Sequence, residues 1–160
     1  MASPQKITTF LWFDSQAEEA AEFYTSLFPD SKITDVQRHG EGGPGTPGTA
    51  WIVGFQLAGQ QFTALNGGPQ FKFTEATSLY VDCEDQAEVD RLWDALTADG
   101  GEESNCGWLK DRWGLSWQII PSDLPRLIGG PDQAGAGRAM QAMLGMGKID
   151  VQALRDAYGE

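Results

Sequence analysis

The chain carries one pattern twice. Gln16-Ala17-Glu18 reappears as Gln86-Ala87-Glu88, 70 positions on. Phe23, Tyr24 and Leu27 fall on Leu92, Trp93 and Leu96 at a spacing of 69, which keeps the apolar faces of two helices in phase. The spacing of 69 also lays Phe10 on Leu79 and Phe13 on Asp82. Self-similarity at a fixed spacing restricts a chain to architectures built from repeated units. Each copy reads as strand, helix and three strands.

In the first copy, residues 7–13 are β-branched and aromatic without a breaker, which predicts a strand. Asp14-Ser15 offers a helix N-cap, with Glu18 as a first-turn anion. Ala17, Ala20, Ala21, Phe23, Tyr24, Leu27 and Phe28 then fall at helical spacing, in a helix that Pro29 stops. Strands follow at 32–36, 50–57 and 61–65. Residues 39–48, HGEGGPGTPG, are predicted as a long flexible loop. In the second copy a strand is expected at 77–82 and a helix opens at Asp85. Gly100-Gly101 ends it, and a short strand follows at 102–104. Residues 106–110 and 115–120 form a hairpin whose corner is Asp111-Arg112-Trp113-Gly114. Three helical pieces, 124–128, 138–146 and 151–158, complete a tail that is too short to be stable unpacked. It is expected on its own sheet or on a partner subunit. The fold class is therefore α+β: two tandem βαβββ modules forming a cupped mixed sheet, with a C-terminal helical tail. The chain reads as a single domain, 1–160, with modules at 6–69 and 70–121 and the tail at 122–160.

The charge narrows the partners. Twenty-three acidic residues against eleven basic give a net charge of −12. No basic patch is at hand to neutralise phosphates or to meet an anionic bilayer, so neither nucleic acid nor membrane is expected. No apolar run approaches the roughly 20 residues that span a membrane. The N-terminal residues show no signal-peptide pattern, and a cytoplasmic protein is expected. Cys83 and Cys106 form no metal-type spacing. Cys106 is a weak catalytic candidate, because nearby Lys110 and Arg112 would favour its thiolate.

Six tryptophans are first of all core material, each removing about 150–250 Å² from water. Strand alternation nevertheless cannot turn all of them inward. Trp12, Trp51, Trp108 and Trp117 are candidates to line a small-molecule cavity, with Asn66, Tyr80 and Gln118 as its polar anchors.

The paired units, with FLWFDSQAEEAAEFYTSLFPDSKI, ALNGGPQFKFTEA and CGWLKDRWGLSWQIIP, resemble the glyoxalase/bleomycin-resistance (vicinal oxygen chelate) superfamily. Within it they resemble the PhnB-like branch, over residues 7–121 and the tail. The resemblance implies a homodimer with a small-molecule cavity in each cupped sheet. Many relatives are labelled 3-demethylubiquinone methyltransferases. It also implies metal positions near Thr9, Thr63 or Ala64, Ser78 and Gln118. Only Gln118 among these is a plausible ligand, where a catalytic zinc or transition-metal site normally takes three. His39 lies elsewhere, in the glycine loop. The run Gly40–Gly45 precedes a strand rather than a helix, so it lacks the setting of a cofactor-binding turn. The expectation is a metal-free protein without a cofactor that binds a small apolar or aromatic molecule. The alternative is an enzyme: a metal-dependent lyase, isomerase or dioxygenase, or a methyltransferase.

Overall fold

The computed structural model describes residues 5–160. The chain divides into two compact units between Lys72 and Phe73. The first contains β1 (Thr9–Phe13), α1 (Ala17–Leu27), β2 (Lys32–Arg38), β3 (Ala50–Leu57) and β4 (Gln60–Asn66). Its sheet order is β1-β4-β3-β2, with β1 parallel to β4 and the other pairs antiparallel. The helix packs on β2, β3 and β4. It buries Ala17, Ala20, Ala21, Tyr24 and Leu27 with the strand residues Leu11, Phe13, Val53, Phe55, Phe62 and Ala64.

The start of α1 is not held by Asp14 or Ser15. Its N-cap is Gln16, which makes no side-chain capping bond. The parallel pairing sets Phe13 opposite Asn66, beside the first turn of the helix. The Ala17 N–H donates to Asn66 Oδ1 at 2.8 Å, and Asn66 Nδ2 donates to the Ala50 carbonyl at 3.0 Å. A side chain from β4 thus satisfies a helix-end donor that was expected to be met locally. Residues 39–48 form the connection between antiparallel β2 and β3. It is closed by His39 N–H to the Thr49 carbonyl (2.9 Å) and Gly48 N–H to the His39 carbonyl (2.8 Å).

The second unit contains β5 (Ser78–Cys83), α2 (Gln86–Thr97), β6 (Glu102–Glu103), β7 (Trp108–Lys110) and β8 (Ser116–Pro121). Its order, β5-β8-β7-β6 with β5 parallel to β8, repeats the first sheet. Asp85 caps α2 by accepting the Glu88 N–H at 2.9 Å, and Glu88 Oε1 in turn accepts the Glu84 N–H at 2.8 Å. The pair resembles a capping box, meeting one orphan donor of the helix and the N–H just before its cap.

The repeat contains a slip. The helices superpose at 69, Tyr24 on Trp93 and Leu27 on Leu96, all four buried. The leading strands need 70: inward Leu11 and Phe13 correspond to Val81 and Cys83, and exposed Phe10 corresponds to exposed Tyr80. A strand has a side-chain period of two, so a one-residue error exchanges its faces. Setting Phe10 on Leu79 was that error. The second copy has one residue fewer between strand and helix: Phe10 and Tyr24 are 14 positions apart, Tyr80 and Trp93 only 13.

The tail forms α3 (Leu124–Gly129), α4 (Gln133–Leu144) and α5 (Val151–Tyr158). It packs within its own unit, where Leu124, Leu127, Ala139, Ile149, Val151 and Leu154 cluster with Ile120. Backbone bonds fasten it: the Cys106 and Gly107 N–H groups donate to the Met146 and Gly147 carbonyls, both at 2.8 Å. The Gln86 amide donates to the Ile149 carbonyl (2.8 Å) and accepts the Val151 N–H (2.9 Å). Helix α4 starts five residues earlier than its periodicity suggested. Its glycines disguised it, since glycine costs about 1 kcal/mol relative to alanine inside a helix. Gly135 is there for contact: a Cβ would stand 2.6 Å from the Tyr158 carbonyl oxygen of α5.

Candidate functional site

Alternation along the second sheet sorts its side chains. Cys83, Leu109, Trp117 and Ile119 are buried on the side covered by α2, which packs on β5, β7 and β8. The opposite parity carries Ser78 and Tyr80 on β5, Ser116 and Gln118 on β8, Trp108 and Lys110 on β7, and Glu102 on β6. Register turns these into two adjacent rows. Tyr80 stands opposite Gln118 and Gln118 opposite Trp108; beside them run Ser78, Ser116, Lys110 and Glu102. Gln118 Nε2 donates to Ser78 Oγ at 3.0 Å, tying the rows together. Tyr80 is 53 % exposed. Partial burial, then the Asp82 charge, push its phenol above the usual range. A cleft of about 160 Å³ opens at this face, lined by Glu75, Trp108, Lys110, Ser116 and the β6 carboxylates. Lys110 forms an ion pair with Glu75. The Ser116 hydroxyl is buried without a hydrogen-bond partner among the described residues.

The structure therefore brings Tyr80, Trp108 and Gln118 into one row. Trp117 is a correction: at 1 % exposure it belongs to the core on the helix side. Its indole N–H donates to Asp111 Oδ2 at 2.9 Å. An indole placed inward needs an acceptor there, and the hairpin corner supplies it. Trp12, Trp51 and Asn66 belong to the first unit. The Trp12 indole donates to the Gly68 carbonyl at 2.9 Å and meets Phe71 edge-on, ring centres 4.9 Å apart. Trp51 stacks on His39 at 5.6 Å. Asn66 spends its amide on the backbone of Ala17 and Ala50. A cleft of about 500 Å³ at the start of α1 includes Asn66. Its strongest groups are engaged, Arg38 with Glu18 at 2.6 Å and Asn66 as described.

Cys106 is half-buried, in a left-handed backbone conformation (φ 59°), and its thiol points to the Met143 carbonyl at 3.5 Å. The two cations expected to activate it are engaged by acids: Lys110 by Glu75, and Arg112 by Asp99 at 3.4 Å. Cys83 is fully buried, and burial pushes its thiol up to about 12.

The four positions that the resemblance implies for a metal lack the donors to hold one. Thr9 shares the strand parity of buried Leu11 and Phe13. Thr63 and Ser78 offer neutral hydroxyls, and the Gln118 amide is bonded to Ser78. Such a set lacks the imidazole, thiolate or carboxylate donors that hold zinc and its neighbours. Among the described residues no three His, Cys, Asp or Glu side chains are grouped for a metal. No helix among them is long and apolar enough to cross a membrane.

Sequence reasoning missed Asp111, Ser116 and Glu75. Asp111 is 2 % exposed. Its Oδ1 accepts the N–H groups of Trp113 (2.9 Å) and Leu115 (3.1 Å), so it folds the corner that carries Lys110 and Ser116. An aspartate opening a turn is a recognisable sign of such bonding. A serine between Leu115 and Trp117 was a weaker sign, and nothing marked Glu75.

The family model described as 3-demethylubiquinone-9 3-methyltransferase matches residues 5–120, so the tail lies beyond it. Among solved structures, the chain is 42 % identical to a putative 3-demethylubiquinone-9 3-methyltransferase, PhnB protein, from Bacillus cereus. The match covers 73 % of this chain and 99 % of that one, with a TM-score of 0.68. A Pseudomonas aeruginosa protein shares the fold at 18 % identity and TM-score 0.61, over 73 % and 97 % of the two chains. The fosfomycin resistance protein FosX from Listeria monocytogenes does so at 14 % and 0.50, over 76 % and 94 %. None of the curated proteins matches.

Proposed function

The chain belongs to the family described as 3-demethylubiquinone-9 3-methyltransferase, and on that premise we propose that it binds a small apolar or aromatic molecule on the open face of its second sheet, without a metal. The observation that carries the reading is the Tyr80–Gln118–Trp108 row, two aromatic rings and an amide in register across three strands. The cleft beside it offers Ser116, a buried hydroxyl with no partner among the described residues. Apolar walls with a few placed polar groups are the usual makings of a small-molecule site. The reading includes a homodimer in the cytoplasm. Exposed Ile7, Phe10 and Phe71 on the first unit support the association, and two free cysteines suit a reducing compartment.

The methyl transfer named in the family's description would need a place for a methyl donor. The glycine run Gly40–Gly45 joins antiparallel strands instead of leading from a parallel strand into a helix, and this does not fit that role. Binding remains the better-supported activity.

The test is a titration with 2-phenylethanol, a neutral aromatic probe, followed at the indole N–H resonances of the six tryptophans. Trp108 moves with probe concentration while buried Trp93 and Trp117 stay, and Gln118→Ala weakens the response. Movement confined to Trp12 and Trp51 would place the site in the first unit and refute the proposal.

A further inference from the structure

The cleft beside this row is unbalanced in charge. Glu75, Glu102 and Glu103 line it against a single cation, Lys110. The three carboxylates are not equivalent. Glu103 Oε1 accepts the Trp93 indole N–H at 2.6 Å, and Glu75 holds Lys110. Glu102 sits opposite Lys110 in the β6–β7 register, and the Glu102 charge helps to raise the Lys110 pKa, after the Glu75 contact. It forms no side-chain hydrogen bond or ion pair among the described residues.

Charge alone would not make this a site. The second observation is Ser116, 1 % exposed, which lines the same cleft with a hydroxyl lacking a partner among the described residues. A buried hydroxyl left unpaired is costly, and a ligand's polar group would relieve it. Trp108 adds an indole to the wall, and aromatic faces attract cations. The protein's net charge of −12 raises the local concentration of positive solutes as well.

We propose that this cleft takes the cationic head of a small organic molecule, an ammonium or amidinium group on an apolar or aromatic body. The inference rests on the binding face proposed above and names the ligand's class. The head's N–H groups meet Glu102 and Ser116 Oγ, and its charge lies against Trp108. Lys110 is an internal competitor, because it occupies Glu75 with the kind of charge the ligand brings.

Three probes with one skeleton separate the possibilities: phenethylammonium, 2-phenylethanol and phenylacetate, each titrated at low salt with the Trp108 indole as reporter. Phenethylammonium is expected to bind about tenfold more tightly than phenylacetate, and Glu102→Gln to weaken it by a comparable factor. Lys110→Met is expected to tighten phenethylammonium binding by freeing Glu75, an effect that a merely structural lysine would not give. Thermal melting confirms that both variants are folded. Phenylacetate binding as well as phenethylammonium, an unchanged Glu102→Gln, or weaker cation binding by Lys110→Met would each overturn the proposal. If 2-phenylethanol binds as tightly as the cation, the charge inference fails while the binding face stands. If no probe moves Trp108, both fail.

Discussion

Asp111 shows what one buried carboxylate can organise. It accepts the Trp113 and Leu115 N–H groups and the Trp117 indole, so one side chain folds the corner and anchors the core tryptophan. Removing it leaves these buried donors unmet, and each such loss costs about 1–3 kcal/mol. Asp111→Ala should therefore lower stability by about 3 kcal/mol or more, measured by urea unfolding. A loss under about 1 kcal/mol, the usual range of surface substitutions, would contradict this role. The cysteines give a second residue-scale prediction. Cys83 is buried and held as the thiol, its pKa pushed up to about 12 chiefly by burial; Cys106 is partly accessible. Iodoacetamide should modify only Cys106 in the native protein and both residues in denaturant, read by mass spectrometry. Native modification of Cys83 would contradict the packing.

The elements were legible in the sequence wherever a local period met a local breaker. Helix α1 ends before Pro29, α2 opens on Asp85, and the 106–120 hairpin turns at Asp111–Gly114, all as expected. Tertiary decisions left no local trace. Asn66 caps α1 from 49 residues away, and Gly135 sits inside α4 because α5 approaches it closely. The slip between 69 and 70 is invisible to helix periodicity, and it decided which strand residues face the helix. Of the candidate site, aromatic and polar strand residues could be picked out, but not their sorting between faces. That is why Trp117 stood with Trp108 among the cavity candidates, although it is buried on the helix side. The tail's anchorage also resisted reading, because it runs through backbone bonds and an ion-pair network. Asp123 binds Arg126 (2.8 Å) and Arg155 (2.9 Å), and Arg126 also binds Glu160 (2.6 Å). Arg126 first, then Arg155, holds the Asp123 carboxyl down to about 2, below the ordinary 3.8. A carboxyl depressed on folding adds stability above its unfolded pKa and loses it as pH falls through the folded value. The Asp123 contribution should be complete above about pH 4 and fade towards pH 2. Asp123→Asn should destabilise the protein at pH 7 by on the order of 1 kcal/mol and much less near pH 2. An equal loss at both pH values would refute the ionic role.

At the scale of the molecule, a strongly acidic chain folds as two βαβββ units. The second presents an aromatic and polar face that carries Tyr80, Trp108 and Gln118 in one row, with Ser78 and Ser116 beside it. The serines and the glutamine of that face are weak donors for zinc or its neighbours, which favours the proposed binding over metal-assisted catalysis. The proposed self-association would cover exposed apolar residues of the first unit, Ile7, Phe10 and Phe71. Native mass spectrometry of the protein as purified, with elemental analysis of the same sample, addresses this most directly. The expected result is a dimer without stoichiometric metal that carries a small organic molecule. The molecule should leave on denaturation and be missing from a Tyr80→Ala/Gln118→Ala variant. One zinc, iron, manganese or nickel per chain, or an organic adduct that the double variant retains in full, would contradict the account.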